Sequence, residues 1–164
     1  MARFRLRPPD ARLFRLLYAV GLGRLVGRLV LLLTTTGRRS GRPRHTPLQY
    51  EIIGDTLVVG AARGLKADWV RNIQREARVR VRMAGLRFDG LAEVETSPAR
   101  IARFIEIRLA RRPRLIGAIL RAEGLPARPS RAQLEAYGAR MALVRIRPTD
   151  GQALPAPPDG RTLD

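Results

Sequence analysis

The run Leu31-Leu32-Leu33-Thr34-Thr35-Thr36-Gly37-Arg38-Arg39-Ser40-Gly41-Arg42-Pro43-Arg44 constrains this chain more than any other segment. An apolar stretch ending in hydroxyls reads as a buried strand, and the glycines that follow impose a turn. Such turns expose backbone N–H groups, and four arginines here add forked donors at close range. That combination suits a phosphate or a carboxylate. The segment points to a β-rich fold with an anionic ligand.

Downstream, Thr46–Ile53 alternates, Gly54-Asp55 marks a tight hairpin, and Thr56–Ala61 returns as its partner. Asp68 is placed to cap a short helix over Trp69–Ala77. Val79–Met83, the Ala84-Gly85 turn and a strand resuming through Leu91–Glu95 form a second hairpin. Ser97-Pro98 starts a helix with Ile101, Phe104, Ile105, Arg108 and Leu109 on one stripe, and Pro113 breaks it. A second helix runs to Gly124, Ser130-x-x-Gln133 is a capping box for a third, and Ala142–Arg147 is the final strand.

With a first strand at Leu29–Thr34, about six strands in hairpins predict a mainly β (α+β) architecture. It is a six-stranded antiparallel barrel with peripheral helices. Residues 1–9 read as a flexible basic arm. Residues 10–147 form the barrel domain, opening on a basic amphipathic helix from Asp10 to about Val20. Residues 148–164 read as a disordered, Pro-rich tail without a packing face. That first helix either packs on the domain, joins a homodimer interface or touches an anionic membrane surface.

Composition narrows the chemistry. Cysteine is absent and His45 is the only histidine, so zinc hydrolysis and Ser-His-Asp catalysis are poor readings and no metal site is expected. A net charge of +18 attracts polyanions, although every basic residue except Lys66 is arginine, a bias that codon usage alone can produce. Aromatic content of 5% argues against a base-stacking platform, so no specific nucleic acid is expected. No stretch reaches the roughly 20 apolar residues of a membrane span, and no signal peptide is evident. A cytoplasmic protein is expected, with contact at the inner membrane face as the alternative.

Individual side chains admit two readings each. Trp69 is either a core plug or a wall beside a ring, and Asn72, one helical turn on, is either solvated or a brace for the loop. Tyr50 is a barrel-face aromatic or a ligand contact. Tyr137 either packs or supplies a proton to an acceptor. His45 reads as a hydrogen-bonded surface residue.

The Thr-Thr-Gly-Arg-Arg-Ser-Gly-Arg-Pro-Arg run, with Thr46-Pro47-Leu48 and Trp69-Val70-Arg71-Asn72, resembles the deazaflavin-dependent nitroreductase family over roughly residues 20–147. The resemblance implies a split β-barrel related to FMN-binding flavin reductases. It also implies coenzyme F-420 as the cofactor, with FMN as the alternative. The reaction implied is hydride transfer to a small-molecule electron acceptor such as a quinone or nitro compound. Cofactor contacts carried over are Leu32, Leu33, Thr34, Arg38, Arg39, Ser40, Gly41, Arg42, Pro43, Arg44, Leu48, Tyr50, Gly60, Ala61, Ala62, Arg63, Gly64, Trp69 and Asn72. Tyr137 matches a family tyrosine of the acceptor pocket and is the candidate catalytic residue. Ala61, Arg63 and Val70 depart from the commoner Ser, Gly and Tyr. The other readings are a non-catalytic ligand-binding barrel and an FMN-dependent reductase.

Overall fold

The computed structural model describes residues 30–157, 161 and 163. Its strands are β1 (Val30–Thr36), β2 (Pro43–Ile53), β3 (Thr56–Ala61), β4 (Arg78–Met83), β5 (Leu86–Glu95) and β6 (Ala142–Pro148). A 3-10 turn (Gly64–Lys66) precedes α1 (Asp68–Arg75). The sequence then supplies α2 (Pro98–Arg111), α3 (Pro113–Ala122) and α4 (Arg131–Gly138). The strands close into one antiparallel barrel in the order β1-β2-β3-β6-β5-β4. The expected barrel with peripheral helices is what the chain forms.

The two-residue period of a strand explains why there are two cores. Leu31, Leu33, Leu57, Val59, Val81, Met83, Phe88, Val144 and Ile146 point inward and fill the barrel. Their neighbours Val58 and Leu143 point outward and pack under Ile101, Phe104, Ile105, Ile116 and Leu134 of the helices. Gly60 lets α2 close on β3, because a Cβ there would sit 3.3 Å from Phe104 Cε1.

Several local details differ from expectation. β1 continues to Thr36 and β2 begins at Pro43, because Thr35 pairs with Arg44 and Thr36 with Pro43. Arg44 and His45 are therefore strand residues. Asp68 opens α1 from inside instead of capping it; Ala67 holds the N-cap without a side-chain bond. Ser97 caps α2 without using its hydroxyl, and its amide donates instead to Glu95 Oε1 at 2.8 Å. That bond, more than any other cause, holds the Glu95 carboxyl below its usual range. The Ser130–Gln133 capping box forms in both directions.

Among the described residues after Pro148, two tie the start of the Pro-rich stretch to the barrel. The Thr149 amide donates to Asp89 O at 2.9 Å, and Leu154 packs against the barrel core. The basic arm and the amphipathic helix from Asp10 lie outside the described residues.

Candidate active site at the arginine turn

The hairpin topology brings the end of β1, the start of β2 and the end of β3 to one end of the barrel. The arginine turn sits there. The Gly37 amide donates to Arg42 O at 2.8 Å and the Gly41 amide to Gly37 O at 2.7 Å. Gly41 takes a φ of +64°, a conformation that costs glycine nothing. The Arg42 amide donates to Ser40 Oγ at 3.3 Å. Among the described residues, the amides of Arg39 and Ser40 have no acceptor. Two free N–H groups at a turn tip make a small anion cradle.

Asn72 of α1 braces this turn from below. It is buried, and its Nδ2 donates to Thr35 Oγ1 at 3.1 Å. Its Oδ1 accepts from the Arg38 amide at 3.1 Å and from Arg38 Nη1 at 3.2 Å. The other arm of Arg38 meets Asp68 Oδ1 at 2.9 Å. This hydrogen bond and the charge of Arg38 hold the Asp68 carboxyl below its usual value. Arg38 thus serves an internal clamp, where the sequence had grouped it with the ligand-holding arginines. An α1 carboxylate already occupies its fork.

Arg39, Arg42 and Arg44 are exposed, and none has a carboxylate partner among the described residues. Three arginines without a carboxylate partner thus share one short segment, the turn and the first residues of β2, with these two amides. At the base of the turn a groove of about 640 Å³ runs outward past Thr34, Thr36, Pro43, Arg78, Arg80 and Leu91. Sequence reasoning found Thr34 and Pro43 but missed the β4 and β5 wall. Only the register Arg78↔Leu91 and Thr34↔Arg80 puts those residues beside the turn.

The remaining predicted residues divide by location. Ala62 and Arg63 are exposed at the same barrel end, and Gly64 is tied to α1 through the Ala67 amide, which donates to Gly64 O at 3.2 Å. Trp69 is half-buried against the barrel core, as is Leu48. Leu33, Tyr50 and Ala61 point into the barrel, whereas Leu32 takes the opposite side of β1. Gly60 lies under α2, and Thr34 Oγ1 bonds His45 Nδ1 at 2.9 Å.

Tyr137 lies elsewhere. Its ring is buried in the outer core with Ile101 and Leu134, and Arg140 stacks over it at 4.7 Å. Burial raises its phenol above the ordinary value, and the charged groups acting on it are Glu123, Arg140 and Arg108. The reason is steric. Gly138 lets α4 press against α2, where a Cβ would sit 3.0 Å from Ile101, and this carries Tyr137 into the helical layer. Of the two readings of Tyr137, this burial fits packing.

One polar constellation had no sequence signal. Glu51 of β2 is buried, and Arg108, Arg111 and Arg112 converge on it from α2 and its C-terminal junction. Arg111 Nη1 reaches Glu51 Oε2 at 3.1 Å and Ile52 O at 3.0 Å. Burial pulls Arg108 below the ordinary arginine value. The cluster clamps the helical layer to the barrel.

A family model described as F420H(2)-dependent quinone reductase matches residues 11–115, a span that contains the arginine turn and α1. The chain belongs to that family. It is therefore an oxidoreductase whose coenzyme is F-420. No curated protein matches it. Among solved structures it is similar to the conserved hypothetical protein Rv2991 from Mycobacterium tuberculosis. That match has TM-score 0.54 and 17% identity and covers 79% of each chain. It is also similar to a pyridoxamine 5'-phosphate oxidase-related, FMN-binding protein from Nostoc punctiforme, with TM-score 0.50 and 19% identity over 88% of this chain and 82% of that one. HutZ, the heme storage protein from Vibrio cholerae, aligns with TM-score 0.52 and 18% identity over 82% of this chain and 90% of that one. At these identities the likeness establishes the split-barrel fold of the reductase.

Proposed function

We propose that the arginine turn holds the anionic arm of coenzyme F-420 and that the enzyme reduces a quinone, a nitro compound or a similarly electron-poor acceptor. One observation carries the reading: Arg39, Arg42 and Arg44, without carboxylate partners among the described residues, share a segment with two exposed amides that have no protein acceptor, on a turn that Asn72 has already set. A phosphate followed by carboxylates matches this donor set, because forked N–H groups bind oxyanions in pairs. The reduced deazaflavin, when bound, supplies a hydride.

The chain's own contribution is binding and orientation. Arg39, Arg42 and Arg44 neutralise the arm; Asn72 and Asp68 fix Arg38 and hence the turn. The acceptor's proton comes from solvent. Membership of a quinone reductase family favours the quinone, and the likeness to an FMN-binding barrel keeps FMN as the alternative cofactor. A homodimer and a peripheral contact with an anionic membrane belong to the same reading; no described helix is long and apolar enough to cross a bilayer.

Calorimetric titration with F-420 beside FMN tests the proposal. F-420 binding tightly, and weakening in Arg39→Ala and Arg42→Ala, supports it. Equal affinity in both variants overturns the assignment of the turn.

A further inference from the structure

We propose that the 3-10 turn Gly64–Lys66 is a docking tip for an anionic phospholipid surface, with Leu65 as its apolar point and Arg63, Lys66 and Arg71 as its cationic collar. The inference deepens the membrane contact proposed above by naming its surface. Leu65 is 45% exposed, one of three large apolar side chains left open to solvent among the described residues. This exposure does not come from a loose loop. The Lys66 amide donates to Arg63 O at 3.1 Å, and Arg71 Nε donates to Leu65 O at 3.2 Å. Gly64 holds a φ of +54°, and a Cβ there would lie 2.7 Å from Arg140 O. The turn is wedged against the start of β6, and Leu65 is presented outward.

Charge decides the occupant. Lys66 has no carboxylate partner among the described residues. The acid beside the turn is Asp68, and its carboxylate is engaged by Arg38 at 2.9 Å, with Arg63 and Arg71 adding their attraction. A second copy would bring the same collar and be repelled. Residues 1–29 carry Arg3, Arg5, Arg7, Arg12, Arg15, Arg24 and Arg28 against Asp10, a net charge of the same sign as the collar. An anionic bilayer offers negative headgroups to the collar and an apolar interior to the leucine. A polynucleotide offers only the charge, and the turn has no aromatic residue on which a base could stack.

The experiment is cosedimentation of the full chain with phosphatidylcholine vesicles, with and without one-third phosphatidylglycerol, needing no coenzyme. The wild type should bind the anionic vesicles alone and be released by salt. Leu65→Ser and Lys66→Gln should each lower the partition coefficient by about five-fold. Circular dichroism should stay unchanged, since both side chains are exposed. Turnover with F-420 and a water-soluble quinone should also stay at the wild-type level; its absence in the wild type would count against the proposed function and leave the docking tip standing. Equal partition of both variants and the wild type overturns the proposal. So does binding that duplex DNA displaces, sensitive to Lys66→Gln and indifferent to Leu65→Ser, which would assign the collar to polynucleotide.

Discussion

Arg108, Arg111 and Arg112 crowd around one buried carboxylate at the junction of α2 and α3, whereas Arg39, Arg42 and Arg44 have none at the end of the barrel. The helical layer repeats its pattern with Arg100 on Glu95 and Arg131 on Glu106 and Glu135. Arginine there is spent on holding elements together. At the turn, only Arg38 is spent in that way, on Asp68 and Asn72. The contrast teaches that overall charge says little about a binding face. What matters is where acidic partners run out.

The largest effect expected from breaking this contrast is on the helical side. Glu51→Ala should strand three guanidinium groups in a partly buried site and cost about 3–5 kcal/mol in urea unfolding. F-420 affinity measured below the melting transition should survive. Asn72→Ala comes next, because it removes a buried group with three hydrogen bonds. It should lower stability by about 1–3 kcal/mol and also weaken coenzyme binding, which calorimetry and urea melts together would show.

Arg39→Ala and Arg42→Ala should invert the helical pattern. Stability should change by no more than about 0.5 kcal/mol, while coenzyme affinity falls by about 1–3 kcal/mol each. Asp68→Asn sharpens the comparison through pH. Because Arg38 depresses the Asp68 pKa, the clamp stabilises the fold above the ordinary value of 3.8 and is lost as the pH falls below it. The stability gap between Asp68→Asn and wild type should therefore be present at neutral pH and close in acid. Smallest of all is Tyr137→Phe, which should leave steady-state turnover within about two-fold of wild type, in keeping with a packing role.

Much of the fold was legible because a half-buried strand writes its pleat into the sequence. Val79, Val81 and Met83 against Arg80 and Arg82 could only face two ways, and the glycine turns set the hairpins. The turn at Gly37–Arg42 was legible for the same reason, through Gly37 and Gly41. Arg38 and Arg39 could not be told apart, since what separates them is an Asp and an Asn thirty or more residues on. The burial of Tyr137 in the helical layer was not legible, because its contacts Ile101 and Leu134 come from two different helices. Nothing in the strand pattern singles out Glu51. Its arginines come from elements about sixty residues away.

The barrel's staves are unequally joined. β1 meets β2 through seven registered pairs but meets β4 through three, Leu32–Arg82, Leu33–Val81 and Thr34–Arg80. The last rungs of β1 thus run unzipped on that flank, directly before the polypeptide enters its cationic bend. The β1–β4 joint has the fewest registered pairs of the six, so deuterium uptake should begin along this seam long before the β5–β6 stave exchanges.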